Sequence, residues 1–125
     1  MLTAFDHVNI RTANLDAMMA WYADILGLQA GFRPDFAFPG VWLYLGDTAV
    51  IHLVGVDTAP LAGGDVTLEH VAFRATGLKR FLALLDAQGI PYRLSPIEAI
   101  NTVQVNISDP DGNHLHIDFD LSQGD

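Results

Sequence analysis

The chain has 125 residues, half of them apolar and none of them cysteine, so it suits one domain with a real core but offers neither disulfides nor thiolate metal ligands. Its net charge is −9 with only six lysines and arginines, which disfavours nucleic acid and anionic membranes as partners. The acidity favours solubility, or the attraction of a cationic ligand. No apolar run approaches a membrane span and residues 1–10 lack signal-peptide features, so we expect a cytoplasmic protein.

The first half of the chain predicts a strand, a helix and three further strands. Residues 5–11 alternate between apolar and polar and predict the first strand. Asn14 can cap a helix of about residues 15–26, whose apolar stripe ends at Gly27. Further strands are predicted near residues 29–34, 40–46 and 48–55.

The second half predicts the same order of elements after a linker at residues 56–66. A strand at 67–75 precedes a helix at about 78–88, which Gly89 ends. The last strands are predicted near residues 91–95, 101–108 and 113–120. The turn Asp109-Pro110-Asp111-Gly112 leads into the final strand, because proline presets φ and Asp and Gly tolerate turn conformations.

The two halves also repeat each other in sequence. Asp6-His7-Val8 returns as Glu69-His70-Val71 63 positions later, and Ile51-His52-Leu53 returns as Leu115-His116-Ile117 64 positions later. Two copies are too few for a solenoid, so the repeat indicates a duplicated domain. We therefore predict one α+β domain over residues 1–125 with two βαβββ modules, module one at 1–55 and module two at 67–125.

All five histidines fall on predicted strands, where side chains alternate between faces. The alternation places His7, His52, His70 and His116 opposite the apolar faces that should meet the helices. A single histidine in a strand is more often a hydrogen-bonded structural residue than a ligand. Four histidines in repeat register favour a metal site, because a two-fold relation between the modules would bring their side chains together at one point. Imidazole suits Zn, Fe, Ni and Cu better than Mg or Ca.

Other polar and aromatic residues on these strands are candidates to support the ligands or to bind substrate. His114 has no counterpart, since Val50 fills its place in module one, so we expect it to be structural or to support a ligand. Trp42 and Tyr44 share a predicted face and match Gln104 and Asn106 by the repeat. We expect these four to line a cavity for an aromatic or carbonyl-bearing molecule, although Trp42 and Tyr44 filling core or interface is an equally good interpretation. Asn9, two residues from His7, could orient a substrate or a ligand.

The sequence resembles the vicinal oxygen chelate superfamily, which includes glyoxalase I, fosfomycin-resistance thiol transferases, extradiol dioxygenases and bleomycin-resistance proteins. The resemblance covers nearly the whole chain. Its carriers are Asp6-His7-Val8, Trp21-Tyr22 with Leu26-Gly27-Leu28, Glu69-His70-Val71-Ala72-Phe73 and Asp109-Pro110-Asp111-Gly112-Asn113. It implies a glyoxalase-like fold, with mixed sheets curled around a metal cavity and helices on the outer face. It also implies ligands on the first and last strand of each module, at His7, His52, His70 and His116.

Two positions depart from the glyoxalase I pattern. That enzyme usually has a carboxylate or amide where His52 stands and a glutamate where His116 stands, so this chain offers no obvious carboxylate ligand. Glyoxalase I activity itself is therefore less expected. His52 could serve as a catalytic base only while it is not bound to the metal. Asp118 lies on the same face as His116 but about 7 Å further along the strand, so we expect it to support a ligand.

These features predict an enzyme that depends on a divalent transition metal, Zn, Fe, Ni or Mn. It would act on a small oxygen-bearing molecule, a carbonyl, a diol or an aromatic compound, as a lyase or isomerase or as a dioxygenase. The alternative is a metal-free drug-sequestering protein of the bleomycin-resistance type, which the acidity and the aromatic strand fit but the four histidines do not. A relic without turnover is a third possibility. We expect a homodimer and neither nucleic acid nor membrane as a partner.

Overall fold

The computed structural model of the chain describes residues 1–123, so residues 124 and 125 of predicted module two lie outside the described part. Over that part the elements follow the order βαβββ twice, which confirms the predicted fold class. Contacts divide the chain into a first compact unit, Met1–Leu61, and a second unit that begins at Ala62. Neither helix has the length and apolar character that crossing a membrane requires, within the described residues.

The first unit holds one helix and a four-stranded sheet. Its elements are β1 (Val8–Thr12), α1 (Leu15–Leu26), β2 (Gln29–Ala30), β3 (Gly40–Leu45) and β4 (Thr48–Gly55). The strand order is β1-β4-β3-β2, with β1 parallel to β4 and the other pairs antiparallel. The first and last strands of the module are therefore neighbours, and histidines on them can come side by side.

The second unit repeats this topology. Its elements are β5 (His70–Arg74), α2 (Leu78–Ala87), β6 (Arg93–Ile97), a 3₁₀ turn (Glu98–Ile100), β7 (Thr102–Ser108) and β8 (His114–Asp120). The strand order is β5-β8-β7-β6, with β5 parallel to β8. Pro96 is tolerated inside β6 because β6 is an edge strand, where a missing N–H breaks no ladder.

Each helix covers one face of its own sheet. Helix α1 contacts β2, β3 and β4, and it buries Met18, Tyr22 and Ile25. In the second unit the Phe81 ring of α2 lies 5.6 Å from the Phe119 ring of β8, centroid to centroid. Since Phe119 alternates with Asp118 along β8, the even-numbered side chains of that strand, including His114 and His116, lie on the face away from α2.

Three local predictions need correction. Strand β1 begins at Val8, so His7 lies just before the strand rather than in it. Strand β2 ends at Ala30 instead of near 34. The Gly31 N–H still donates to the Trp42 carbonyl, and Pro34 has no N–H with which to resume the ladder. The side chain of Asn14 makes no capping hydrogen bond to α1 among the described residues; its own N–H donates to Thr12 Oγ1 at 2.9 Å. The predicted stop of α1 is confirmed, since Gly27 adopts a left-handed conformation at φ 70°.

Candidate metal site

The first unit stacks two histidines and a tryptophan face to face. The His7 and His52 rings lie 3.7 Å apart, centroid to centroid, with planes 9° apart. Trp42 lies 4.0 Å from the His52 ring at 13°. Strand pairing contributes to this arrangement. Strand β3 places Trp42 beside His52, and β1 places Asn9, two residues after His7, on the other side of His52. The His52 ring is thus fixed by ring contacts with both His7 and Trp42.

Burial determines the charge of His52. Its exposed fraction is 9%, and this burial, helped by repulsion from His7, lowers the pKa of His52 below its ordinary value of 6.5. The imidazole is therefore neutral at pH 7. Neutral imidazole is the form that binds a metal or accepts a proton.

The second unit gathers three histidines on one face. The His70 ring lies 4.4 Å from the His116 ring and 5.4 Å from the His114 ring, and His114 lies 6.2 Å from His116. The parallel pairing of β5 with β8 sets His70 beside His114, and alternation along β8 brings His116 to the same face. The chain therefore brings together both ligands predicted in module two.

Three of the four predicted ligands have a carboxylate on the Nδ1 atom. The distances from Nδ1 to the carboxylate oxygen are each 2.6 Å: His7 to Asp6, His70 to Glu69 and His116 to Asp118. A carboxylate accepts, so the ring donates from Nδ1–H and the lone pair remains on Nε2. Histidine ligands in metal proteins commonly have this arrangement, in which the carboxylate fixes the tautomer and the ring orientation.

His114 differs from the other histidines because both its ring nitrogens face acceptor oxygens. Its Nδ1 lies 2.8 Å from Glu69 Oε2, and its Nε2 lies 2.8 Å from Asn106 Oδ1. The amide nitrogen of Asn106 donates to the Arg93 carbonyl and to Ser95 Oγ, which orients Oδ1 toward His114. Hydrogen bonds from His70 and His114 lower the pKa of Glu69.

Glu69 is a site residue that sequence reasoning missed. One ligand atom each from Glu69, His70 and His114 lie within 4.8 Å of one another, close enough to hold a metal ion. In the described conformation these atoms bond to each other, so an ion there would replace those hydrogen bonds. The signal was present, since an acidic residue precedes the histidine in both modules, at Asp6 and at Glu69.

The predicted match between Trp42, Tyr44 and the second module was wrong by two residues. Trp42 pairs with His52 as Asn106 pairs with His116, so Trp42 corresponds to Asn106. Gln104 pairs with Asp118, and the equivalent position in the first unit is Gly40 opposite Val54. The repeat offset is 64 along these strands, whereas the sequence-based match used 62.

The predicted substrate-binding residues have different surroundings. Tyr44 follows a bulge in β3 that breaks strict alternation, and its hydroxyl donates to the Phe32 carbonyl at 2.6 Å. Asn9 is exposed beside His52. Asn106 is buried with both amide atoms bonded, while Gln104 is half-buried two residues earlier on β7. A substrate role for these residues stays a prediction.

An open cavity of about 550 Å³ lies beside the histidine cluster of the second unit. Its lining includes Glu69, Arg93, Asn106 and His114. A volume of this size accommodates a small molecule. Its wall is mixed, because Pro91, Tyr92 and Ile107 add apolar surface beside these polar and charged groups.

A duplicated βαβββ fold with histidines in or next to the first and last strands of each module is the architecture of glyoxalase-like proteins. Residues 4–117 match the family model described as Glyoxalase/Bleomycin resistance protein/Dioxygenase superfamily. The chain belongs to this superfamily, which confirms the predicted vicinal oxygen chelate relationship.

Solved structures share the fold at low sequence identity. The glyoxylase/bleomycin resistance protein/dioxygenase domain from Frankia sp. EAN1pec is 18% identical with a TM-score of 0.79, over 99% of this chain and 96% of that one. The lactoylglutathione lyase from Agrobacterium tumefaciens is 20% identical with a TM-score of 0.72, over 99% and 98%. The glyoxalase family protein from Enterococcus faecalis is 25% identical with a TM-score of 0.70, over 92% and 96%. A search of curated proteins gave no significant match.

Proposed function

We propose that this chain is an enzyme dependent on a divalent transition metal, which acts on a small oxygen-bearing molecule, a carbonyl, a diol or an aromatic compound. The observation that carries the proposal is the carboxylate on Nδ1 of His7, His70 and His116, each at 2.6 Å. It supports a ligand role because each ring keeps the Nε2 lone pair that a metal needs. A histidine with only a structural role does not need its hydrogen held on Nδ1 in this way.

The donor set fits a divalent transition ion. His7, His70 and His116 would each supply a neutral imidazole through Nε2. Neutral nitrogen ligands favour Zn, Fe or Ni over Mg or Ca, and Mn is the further candidate. When bound, such an ion supplies Lewis acidity toward a substrate oxygen, and neutral ligands leave its full charge in place.

His52 is the proposed general base. It is buried and neutral, and the stacked rings of His7 and Trp42 keep it in one orientation. A base held in place needs no reorganisation before it accepts a proton. Swinging off the metal would break both stacks, so we propose that His52 takes the proton in place rather than as a ligand.

We propose that the reaction is either of the lyase or isomerase type or an oxygenation. The relative from Agrobacterium tumefaciens is a lactoylglutathione lyase, which makes formation of a lactoylglutathione thioester the first assay. The second assay is oxygen uptake with aromatic diols. His116 in place of the family glutamate removes one proton carrier, so we expect the second assay or another carbonyl substrate to give the larger signal.

Metal analysis of protein purified without chelator tests the proposal. We expect a bound transition ion in the wild type, bound through at least three of the four histidines. His70→Ala should abolish tight binding and leave the fold intact, because His70 lies on the exposed side of β5. Arg74→Ala, on the same strand and face, is the control and should retain the metal. Wild-type protein that stays metal-free through titration with Zn, Fe, Ni and Mn would overturn the proposal.

The second candidate function is metal-free binding of an aromatic drug. Exposed aromatic rings favour it, since Phe36 and Phe38 stack at 5.2 Å and both remain partly open to solvent. The Arg33 guanidinium lies over both rings, 4.9 Å and 5.1 Å from their centroids. Phe36→Ala would weaken binding of an aromatic drug in this case, while His70→Ala would leave it unchanged.

A further inference from the structure

We infer that Arg93 forms a carboxylate-binding subsite beside the histidine cluster, so that the ligand of this cavity is a small organic acid. The inference deepens the proposed function, and it rests on that function for the identity of the bound acid as a substrate. It comes from the cavity of about 550 Å³ in the second unit, whose lining includes Arg93, Tyr92 and Asn106. Among the described residues, Arg93 is the only lysine or arginine in that lining.

Strand pairing places Arg93 on the histidine side of the sheet. Arg93 of β6 lies directly opposite Asn106 of β7, and Asn106 lies directly opposite His116 of β8. Directly opposed residues project from the same face, so Arg93 shares the face of His116, away from α2. Two strand spacings of about 4.8 Å separate the backbones of Arg93 and His116 by about 10 Å. A small molecule bound to Arg93 therefore extends across Asn106 toward His116.

The guanidinium of Arg93 is held against the sheet, yet no carboxylate of the described chain pairs with it. Its Nη1 donates to Ser95 Oγ at 2.7 Å, and Ser95 Oγ also accepts from Nδ2 of the buried Asn106 at 3.1 Å. A hydroxyl oxygen has two lone pairs, so both bonds form together. Within the described residues Arg93 has no ion pair, although the chain carries 15 acidic residues and only six lysines and arginines. Its other N–H groups are therefore open to a ligand.

The charge balance of the cavity favours a carboxylate over a phosphate. The planar guanidinium of Arg93 matches the geometry of either anion. Glu69 also belongs to the lining, but the strand order β5-β8-β7-β6 places it at the opposite edge of the sheet from Arg93. One arginine balances a single negative charge. A phosphate group carries about −1.5 to −2 at pH 7, so it would bring uncompensated negative charge into a cavity that already holds Glu69.

The lining also supplies apolar surface for the rest of the molecule. Pro91 and Tyr92 directly precede Arg93 in the chain, and all three line the same cavity. An aromatic or short aliphatic acid would therefore bind with its carboxylate on Arg93 and its carbon skeleton against these two residues. An oxygen substituent at the far end of the acid would face His116, where the proposed function places the metal.

Binding of benzoate to chelator-treated protein tests the inference without requiring a metal. Benzamide is the matched probe, because it has nearly the same shape and no charge. We expect the wild type to bind benzoate about tenfold more tightly than benzamide, and benzoate to shift the Arg93 Nε–H signal in ¹H–¹⁵N spectra. Arg93→Gln should weaken benzoate binding about tenfold and leave benzamide binding unchanged. Arg80→Gln is the control and should bind both probes as the wild type does, since Arg80 is exposed on α2, which covers the other face of the sheet.

The inference is wrong if the wild type binds no benzoate, if it binds phenylphosphonate more tightly than benzoate, or if Arg93→Gln keeps its benzoate affinity within about twofold of wild type. Arg93 is exposed on an edge strand, so its replacement removes no core packing and the variant should fold. If benzoate binding depends on Arg93 but the wild type takes up no metal, the carboxylate subsite stands and the proposed function fails. If metal binds but benzoate binding does not depend on Arg93, the proposed function stands and the subsite is wrong.

Discussion

Replacing Asp118 with asparagine tests whether a carboxylate behind a histidine contributes to metal binding. Asp118 Oδ1 lies 2.6 Å from His116 Nδ1, and the amide has nearly the same shape, so the change removes charge and little else. Removal of such a partner commonly costs 10- to 100-fold in metal affinity, which is about 1.4 to 2.8 kcal/mol. We expect Asp118→Asn to fall in the upper half of this range.

The burial of Asp118 and His116 is the reason that we expect a loss of metal affinity in the upper half of this range. The side chain of Asp118 is 27% exposed and His116 is buried, so water replaces the lost charge poorly. Asp6→Asn on His7 should cost less, at the lower end of the range, because Asp6 is largely exposed and water can substitute for it. The order of the two effects is therefore predicted as well as their size.

The assay is competition for Zn against a chromophoric chelator at fixed pH. Asp120→Asn is the matched control, since Asp120 lies two residues further along the same strand and bonds Asn101 and Ser122 rather than a histidine. Urea unfolding without metal should show a loss of about 1 kcal/mol for Asp118→Asn. Equal Zn affinity for Asp118→Asn and Asp120→Asn would refute the reasoning, because the carboxylate would then do nothing for the ligand.

Three other properties of the chain give further predictions. Asp109→Ala should lower the free energy of unfolding by about 3 kcal/mol in urea, because Asp109 is buried and accepts hydrogen bonds from Asp111 N–H and from both nitrogens of Asn113; a loss under about 1 kcal/mol would contradict this. In chelator-treated protein the NMR titration midpoint of His52 should lie below 6.5, and His7→Ala should raise it by removing burial and repulsion. Since the folded-state pKa of His52 is lowered, its contribution to stability is complete above pH 6.5 and is lost as the pH falls toward that lowered value. Sedimentation at micromolar concentration should show a homodimer, and a monomer alone would contradict the prediction.

Most of the fold could be predicted because its signals are local and periodic. The apolar stripe and Gly27 determine α1, and two-residue alternation determines the long strands β4, β7 and β8. The end of β2 at Ala30 was missed, because the effect of Pro34 on a short edge strand competes with a favourable strand pattern. The two-residue error in matching Trp42 arose because an offset of 62 was used there, whereas the offset of 64 seen at His52 and His116 also holds for the corresponding strands β3 and β7.

The faces of the histidines could be predicted, but their partners could not. Alternation fixes which way His116 and Asp118 point, and the structure places both on the same side of β8. The sequence-based spacing of about 7 Å made direct contact between them unexpected, because it measured backbone positions and ignored side-chain reach. The bonds from Glu69 to two histidines depend on rotamers, which no sequence pattern encodes.

His52 is held by different physical means from the other three predicted ligands, and this difference bears on which histidine can act as a base. In the second unit carboxylates occupy Nδ1 of His70 and His116, which leaves each ring a single lone pair suited to a ligand. In the first unit, within the described residues, His52 is held by the stacked rings of His7 and Trp42, and burial keeps it neutral. His52 also makes a backbone hydrogen bond to Ala49, which leaves its other ring nitrogen to accept a proton. His52 is therefore the histidine whose surroundings best permit proton transfer, while His70 and His116 are best suited to binding the metal.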